Sequence, residues 1–382
     1  MKKILVVHNR YQLLGGEDVA VDSEIKFLSK HFEIKKIIFE NKLENIFLDT
    51  FFLVTGFNLK SKKILNKAIN EFNPDLIYLH NSWFKASLSI FKIIEKSKIP
   101  TVIKLHNFRY YCTKSFLSKN HLNGEEFCKA CGYQGKKYRI INKYFKDSLL
   151  KSLLVLIYGK RYFSKLKSNK FKLLVLTEFH KKFLKNKLNI NSKVYIHPNL
   201  ITLDRVIDDG KNNTISYAGR ISEEKGVDDL VESFIKADLK NTKLQIIGDG
   251  PLAKNLKNKF MNNKNIIFHD FIENSNVISL LKGSKAVVTA TKLYEGQPTL
   301  LCEASLLGVP AIFPKTGGIE EFFPVDYPLS FEQFNYDDLI NIFQNIDSMD
   351  SLKDIGAKNK EYISDLLHEQ KLLKNFKELI ND

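Results

Sequence analysis

Short apolar runs alternate with helix-like stretches along nearly all of the 382-residue chain, and no other feature constrains its fold as much. Residues 4–8, 32–38, 76–80, 101–106, 173–177 and 194–197 read as strands. Most are continuous apolar runs without polar alternation, the pattern of strands buried on both faces. Helices at about 17–31 and 87–96 fall between them. After residues 198–203, the polar run 208–213 reads as a linker. A second series follows at 214–219, 244–248, 266–269, 286–289 and 309–313. Strand and helix in alternation give an α/β fold of mostly parallel sheets covered by helices. The length exceeds one ordinary core of about 100 to 200 residues, so two Rossmann-like domains are expected, 1–202 and 203–382. A closing helix at about 367–379 is placed to cross back toward the first.

Ligands of such sheets bind beyond the carboxyl ends of the strands. His8, His80 and His106 fall at strand ends in the first series. In the second, Glu295 follows the strand at 286–289, and a helix begins near Pro298 with an apolar stripe of Leu300, Leu301, Ala304 and Leu307 before Gly308 and Pro310 stop it. Glu295 therefore precedes a helix N-terminus and Glu303 lies more than a turn inside. A helical glutamate is more often a solvated surface group, but an ionised one in so apolar a helix needs a partner. Helix N-termini attract anions, and carboxylates accept hydrogen bonds from diols. Arg220 and Lys225, just past the strand at 214–219, can neutralise a diphosphate. Gly248-Asp-Gly-Pro251 is a tight turn that lets a ligand approach backbone. It is not G-x-G-x-x-G, which disfavours a nicotinamide cofactor. Together these residues describe a socket for a nucleotide sugar.

The net charge of +16 is unevenly distributed: residues 1–200 carry 38 Lys and Arg against 15 Asp and Glu, a balance of +23, and residues 201–382 carry 21 against 28, a balance of −7. The densest basic stretch, 136–187, interleaves with Leu153, Leu154, Val155, Leu156, Ile157, Tyr158, Tyr162 and Phe163. It suits an anionic membrane surface or polymer; the alternative is a lysine-rich surface that is merely solvated. No stretch reaches the roughly 20 apolar residues of a membrane span, and no cleavage pattern follows the first strand. A cytoplasmic protein, peripheral on the inner face of the plasma membrane, is the expectation. Four cysteines are too few for a disulfide scaffold. Cys128 and Cys131 have the spacing of half a zinc knuckle, with Cys112 and His121 as further ligands of a structural zinc; the alternative is inert, buried thiols.

Taken in order, Gly219-Arg220 with Lys225-Gly226, Gly248-Asp-Gly-Pro251, and Glu295 with Glu303 resemble the retaining glycosyltransferases of family 4. So do Gly317-Gly318 and the front segment with Gly15-Gly16-Glu17-Asp18. Leu105-His-Asn-Phe-Arg-Tyr-Tyr-Cys112 with the later Cys128-x-x-Cys131 is similar to a bacterial subgroup of surface polysaccharide synthesis, which includes lipopolysaccharide. The resemblance implies the GT-B fold of two facing Rossmann-like domains. It implies that Arg220 and Lys225 hold the donor diphosphate, Glu303 the ribose hydroxyls and Glu295 the hydroxyls of the transferred sugar. Gly248, Gly296, Gln297, Pro298 and Thr299 line the donor site, and the backbone near Ile272 meets the base. Gly16 lets the first loop approach the phosphates, and His106 touches the donor sugar near the reacting carbon. It implies transfer with retention, no obligatory metal or other cofactor, a glycan or lipid-linked acceptor, and no nucleic acid. Leu200, where the family often has glycine, and Lys137, where the subgroup can carry a fourth cysteine, depart from the pattern.

Because fold does not fix chemistry, a nucleotide-sugar epimerase or a phosphorylase of the same fold is a competing expectation. A non-catalytic basic protein binding membrane or polyanions through 136–187 is another.

Overall fold

The computed structural model describes residues 1–11, 15–42, 46–112, 118, 148–203, 210 and 212–381. The chain forms two compact units, Met1–Leu200 with Glu369–Asp382, and Ile201–His368. The division falls after Leu200, within two residues of the sequence boundary. Cys128, Cys131, His121, Lys137, residues 136–147 of the basic stretch and residues 208, 209 and 211 of the linker run lie outside the described residues.

Unit 1 is built on six strands: β1 (Lys3–Arg10), β2 (Glu33–Glu40), β3 (Leu76–Leu79), β4 (Thr101–Leu105), β5 (Lys172–Val175) and β6 (Val194–Ile196). They lie in the order β2-β1-β3-β4-β5-β6 with every pairing parallel. The helices of the unit are α1 (Gly16–Leu28), α2 (Ile46–Thr55), α3 (Leu59–Phe72), α4 (Ser89–Ser97), α5 (Leu149–Leu166) and the short α6 (Glu178–Lys182). Both β3 and β4 are buried along their whole length, which is why their sequences show no alternation. The chain crosses from one side of β1 to the other between β2 and β3, so loops leaving β1 and β3 diverge at their carboxyl ends.

A charge sits in the middle of this buried sheet. Lys104 on β4 is fully buried, and its Nζ meets Glu24 of α1 at 3.0 and 2.9 Å. Tyr78 donates to the same carboxylate at 2.8 Å, and His197 Nε2 lies 3.4 Å from it. Burial alone would raise the Glu24 pKa, but Lys104 and the His197 hydrogen bond hold it well below the usual carboxylate range. Burial lowers the Lys104 pKa, and Glu24 opposes that shift. Desolvating two charges is repaid only when both are fully partnered, as here.

Unit 2 carries β7 (Thr214–Ala218), β8 (Lys243–Ile247), β9 (Ile266–His269), β10 (Ala286–Val288), β11 (Ala311–Lys315) and β12 (Ser330–Glu332). Their order is β12-β11-β10-β7-β8-β9, again all parallel. The helices are α7 (Val227–Ala237), α8 (Ala253–Phe260), α9 (Asn274–Gly283), α10 (Thr299–Leu306), α11 (Tyr336–Ile346) and α12 (Leu352–Leu366). One continuous apolar core joins sheet and helices. The chain leaves β7 toward β8 and β9, then returns to its other side as β10, so the loops after β7 and β10 part at a topological switch point.

The last helix, α13 (Glu369–Asn381), belongs to unit 1. Leu372, Phe376 and Leu379 join the core formed by Ile4, Val6, Phe27 and Leu28. The Phe376 ring lies 5.9 Å from that of Phe32 and 5.4 Å from that of Tyr78.

Replacing Glu24 by Gln strands the Lys104 charge and should lower the unfolding free energy by about 3 to 5 kcal/mol, measured as a fall in the urea midpoint. The pair of changes Glu24→Leu with Lys104→Met should recover most of that loss. An unchanged midpoint in Glu24→Gln would show that the ion pair does not support the core.

Candidate functional site

The loops at the switch point of unit 2 approach so closely that glycine is demanded at several positions. Gly226, with φ at 63°, would place a Cβ 2.2 Å from the Ala290 carbonyl oxygen, and Gly248, with φ at 133°, one 2.1 Å from that of Gly219. The Lys292 amide donates to Glu224 at 3.0 Å, tying the loop after β10 to the loop after β7. Across this junction Lys225 Nζ meets Glu295 Oε1 at 2.5 Å, and Thr291 Oγ1 donates to the same oxygen at 3.0 Å. The Glu295 backbone is clamped from the other side. The Gly318 amide donates to its carbonyl at 2.9 Å, and a Cβ on Gly317 would lie 2.3 Å from that oxygen.

Arg220 follows β7 directly and is exposed. Its carbonyl accepts from Tyr217 at 2.8 Å, while its guanidinium has no ion pair with any described residue. Beyond Glu295, Gly296 and Gln297 are buried, Pro298 occupies the N-cap of α10 without a side-chain cap bond, and Thr299 begins the helix exposed. The first amides of α10 are therefore open to an anion. Glu303 is partly buried in the second turn, its carboxylate has no hydrogen bond or ion pair to a described residue, and burial pushes its pKa up to about 7. Ile272 is half-buried in the loop after β9, at the carboxyl edge of the same sheet.

The structure thus brings Arg220, Lys225, Gly248, Ile272, Glu295, Gly296, Gln297, Pro298, Thr299 and Glu303 to the carboxyl end of one sheet. The direct Lys225–Glu295 ion pair was not foreseen. Gly16 and His106 belong to unit 1. A side chain at Gly16 would meet nothing within 4 Å, so packing inside the unit does not require glycine there. His106 Nε2 bonds His80 Nδ1 at 3.0 Å, the two rings stacked 5.3 Å apart. Burial, with the neighbouring His80 and Lys104, holds the His106 pKa well below its ordinary value, which favours the neutral imidazole. His80, at the end of the neighbouring strand, is the group that orients it. His8 Nε2 bonds Asp18 at 2.8 Å, while its buried Nδ1 has no partner among the described residues. Cys112 is buried in unit 1, and among the described residues no group of three or more His, Cys, Asp or Glu could hold a metal.

A raised pKa means that Glu303 favours the folded state when protonated. That stability is fully present below about pH 4.5 and is lost as the pH rises through about 7. Glu303→Gln should therefore be more stable than the wild type at pH 8 by up to about 3 kcal/mol, the gap closing toward pH 4.5. Urea unfolding at the two pH values measures this, and a pH-independent difference would contradict the buried, unpartnered carboxylate.

Comparison with known proteins adds independent support. Residues 204–348 match the family model of glycosyl transferases group 1. The chain is 29% identical over 170 residues to the amylovoran biosynthesis glycosyltransferase AmsD of Erwinia amylovora, a match covering 41% of this chain and 48% of that protein. It thus spans about half the length of that relative. Sucrose-phosphate synthase of Thermosynechococcus elongatus superposes over 100% of this chain and 98% of its own, with a TM-score of 0.72 at 12% identity. HepE of Anabaena, solved with UDP and glucose, superposes over 100% of both chains with a TM-score of 0.65 at 14% identity. The two six-stranded parallel sheets are the GT-B fold, and residues 204–348 of this chain match the model of the glycosyl transferases group 1 family.

Proposed function

We propose that the chain is a retaining glycosyltransferase that moves a sugar from a nucleotide-sugar donor to a glycan or lipid-linked acceptor in surface polysaccharide synthesis. One observation carries this reading. Two cations and two carboxylates gather at the switch point of unit 2, and one carboxylate, Glu303, is partly buried without a partner among the described residues. A diphosphate placed on Arg220, Lys225 and the open amides of α10 would draw Lys225 away from Glu295, since the phosphate carries more charge than the carboxylate. Glu295 is then free to accept from hydroxyls of the transferred sugar. Glu303 would accept from the ribose diol, exchanging a desolvated charge for two hydrogen bonds.

The same groups serve the reaction. As the bond from the anomeric carbon to phosphate breaks, negative charge grows on the departing diphosphate, where Arg220, Lys225 and the amides of α10 are already oriented. Fixed cations supply the charge compensation, so this reading calls for no metal ion. Retention, the placement of the base near Ile272, and the roles of Gly16 and His106 toward the donor belong to the same proposal. HepE and the pneumococcal O-GlcNAc transferase GtfA, each solved with UDP and a sugar, share the fold and support a nucleotide-sugar donor.

A second surface supports membrane association. Leu48, Phe51 and Val54 on α2, with Phe57 and Leu59 after it and Leu149, Leu150 and Leu153 on α5, are exposed. The two helices are in contact, and Arg161 donates to the Val54 carbonyl. Lys60, Lys62, Lys63 and Lys160 lie on α3 and α5, each worth about 1 kcal/mol near acidic lipid. Among the described residues no helix is long and apolar enough to cross a membrane.

Incubation with nucleotide sugars and extracted lipid acceptor should release nucleoside diphosphate and extend the lipid with the donor's anomeric configuration. Glu303→Gln and Lys225→Met should each lower kcat/KM by about 10- to 100-fold or more, the factor for losing one charge-assisted hydrogen bond. Release of free sugar or an epimer alone would refute the transferase. Vesicles containing phosphatidylglycerol should sediment the protein, and Phe51→Ser with Leu150→Ser should weaken this; equal sedimentation with neutral vesicles would refute anionic docking.

A further inference from the structure

Glu295 rides on residues 289–298, a stretch with no helix or strand of its own, so its aim depends on what ties that loop down. The Lys292 amide donates to the Glu224 carbonyl at 3.0 Å, the Gly318 amide to the Glu295 carbonyl at 2.9 Å, and Thr316 Oγ1 to the Leu293 carbonyl at 3.2 Å. From the segment after β12, Gln333 Nε2 donates to the Thr291 carbonyl at 3.2 Å. A further tie is ionic. Lys292 Nζ lies 2.5 Å from Asp229 Oδ2, with only 27% and 28% of the two side chains exposed. Asp229 stands in the first turn of α7, which begins two residues after Lys225, and Lys292 stands three residues before Glu295. The ion pair thus joins the segment that carries Lys225 to the segment that carries Glu295.

An aspartate in a first helical turn ordinarily does no more than complement the helix dipole. Asp229 has closer partners. Burial alone would lower the Lys292 pKa, but the bond to Asp229, with the charges of Asp228 and Glu223 nearby, raises it. Burial and the Asp229 charge also raise the Tyr336 pKa, so the phenol at the start of α11 keeps its proton beside the same carboxylate. The loop after β10, α7 and α11 therefore converge on one aspartate. A rival role for Lys292 is a third cation toward a diphosphate. Its charge is already matched at contact distance, however, and such a pair adds little attraction for a further anion and much restraint on its own backbone.

We propose that Lys292 and Asp229 are positioning residues, whose ion pair fixes the loop that aims the Glu295 carboxylate and so sets how much donor affinity comes from the sugar rather than from the diphosphate. The effect on the sugar rests on the transfer reaction proposed above; the restraint on the loop does not.

Lys292→Met keeps the stem and removes one charge, and Asp229→Asn removes the other at nearly the same volume. Amide hydrogen exchange on the full chain measures the restraint without any ligand. The Lys292 and Gly318 amides should exchange about tenfold faster in each variant. The Lys285 and Val287 amides, which donate to the Thr214 and Pro310 carbonyls, should keep their wild-type rates. Unchanged exchange at Lys292 and Gly318, or the same acceleration at all four amides, overturns the assignment. Binding of UDP, GDP and ADP, compared with that of their glucose, galactose, mannose and N-acetylglucosamine conjugates, then separates sugar from diphosphate. For the conjugate that the wild type binds best, each variant should lose affinity about fivefold to tenfold, while holding the parent nucleotide within about twofold. Equal loss for both shows that the pair serves the diphosphate, which overturns its assignment to Glu295. Faster exchange in the loop with no nucleotide bound by any form supports the clamp while removing the nucleotide-sugar reading.

Discussion

The parting of two loops at the edge of a parallel sheet is the constraint on which the rest of unit 2 depends. Because β10 returns beside β7, the segments 219–226 and 289–298 leave adjacent strands in different directions, and their backbones touch within that opening. Gly226 against Ala290 and Gly248 against Gly219 leave no room for a Cβ. This contact places Lys225 and Glu295, 70 residues apart, within 2.5 Å of each other. The ion pair follows from the backbone packing, and it stores both charges where an anion can separate them.

Buried charges in this protein fall into two kinds, distinguished by how completely they are partnered. Glu24 has Lys104, Tyr78 and His197 around it, and its carboxylate is held ionised inside a core. Such a network specifies where α1 sits against β3 and β4, and both of its oxygens are partnered within the core. Glu303 and Glu17 are half-finished by comparison. Burial pushes each pKa up to about 7, and at least one oxygen of each lacks a donor. A fold tolerates an incomplete site at a cost in stability, and such sites concentrate where function requires them.

Much of the fold was legible in the sequence because the signal for a buried parallel strand is local. Eleven of the twelve strands lie within a few residues of their apolar runs, since β3, β4 and β10 are covered on both faces and carry no polar alternation. The missed strand, β12, is three residues long with one exposed, too short for periodicity to register. Arg220, Lys225, Glu295 and Glu303 could be singled out because each follows a strand or sits in a helix that should otherwise be apolar. Trp83 could not. Nothing about a lone tryptophan after His80 marks it as the lining of a small cleft until the loops of β1, β3 and β4 are placed side by side. The exposed face of α2 was missed for a similar reason, since its apolar residues read equally well as core.

By itself the sequence determined the alternation of strand and helix, the two-sheet architecture, the charge imbalance between the halves and the residues at strand ends. Those properties depend on neighbours within a turn or two of chain. Only the tertiary structure decided which of these residues share a site and in what state. It paired Lys225 with Glu295, oriented His106 through His80, left the Glu303 carboxylate without a partner among the described residues, and returned α13 to the core of unit 1. Such outcomes depend on distances between segments far apart in sequence and on how much water each charge retains, and neither quantity exists until the chain has folded.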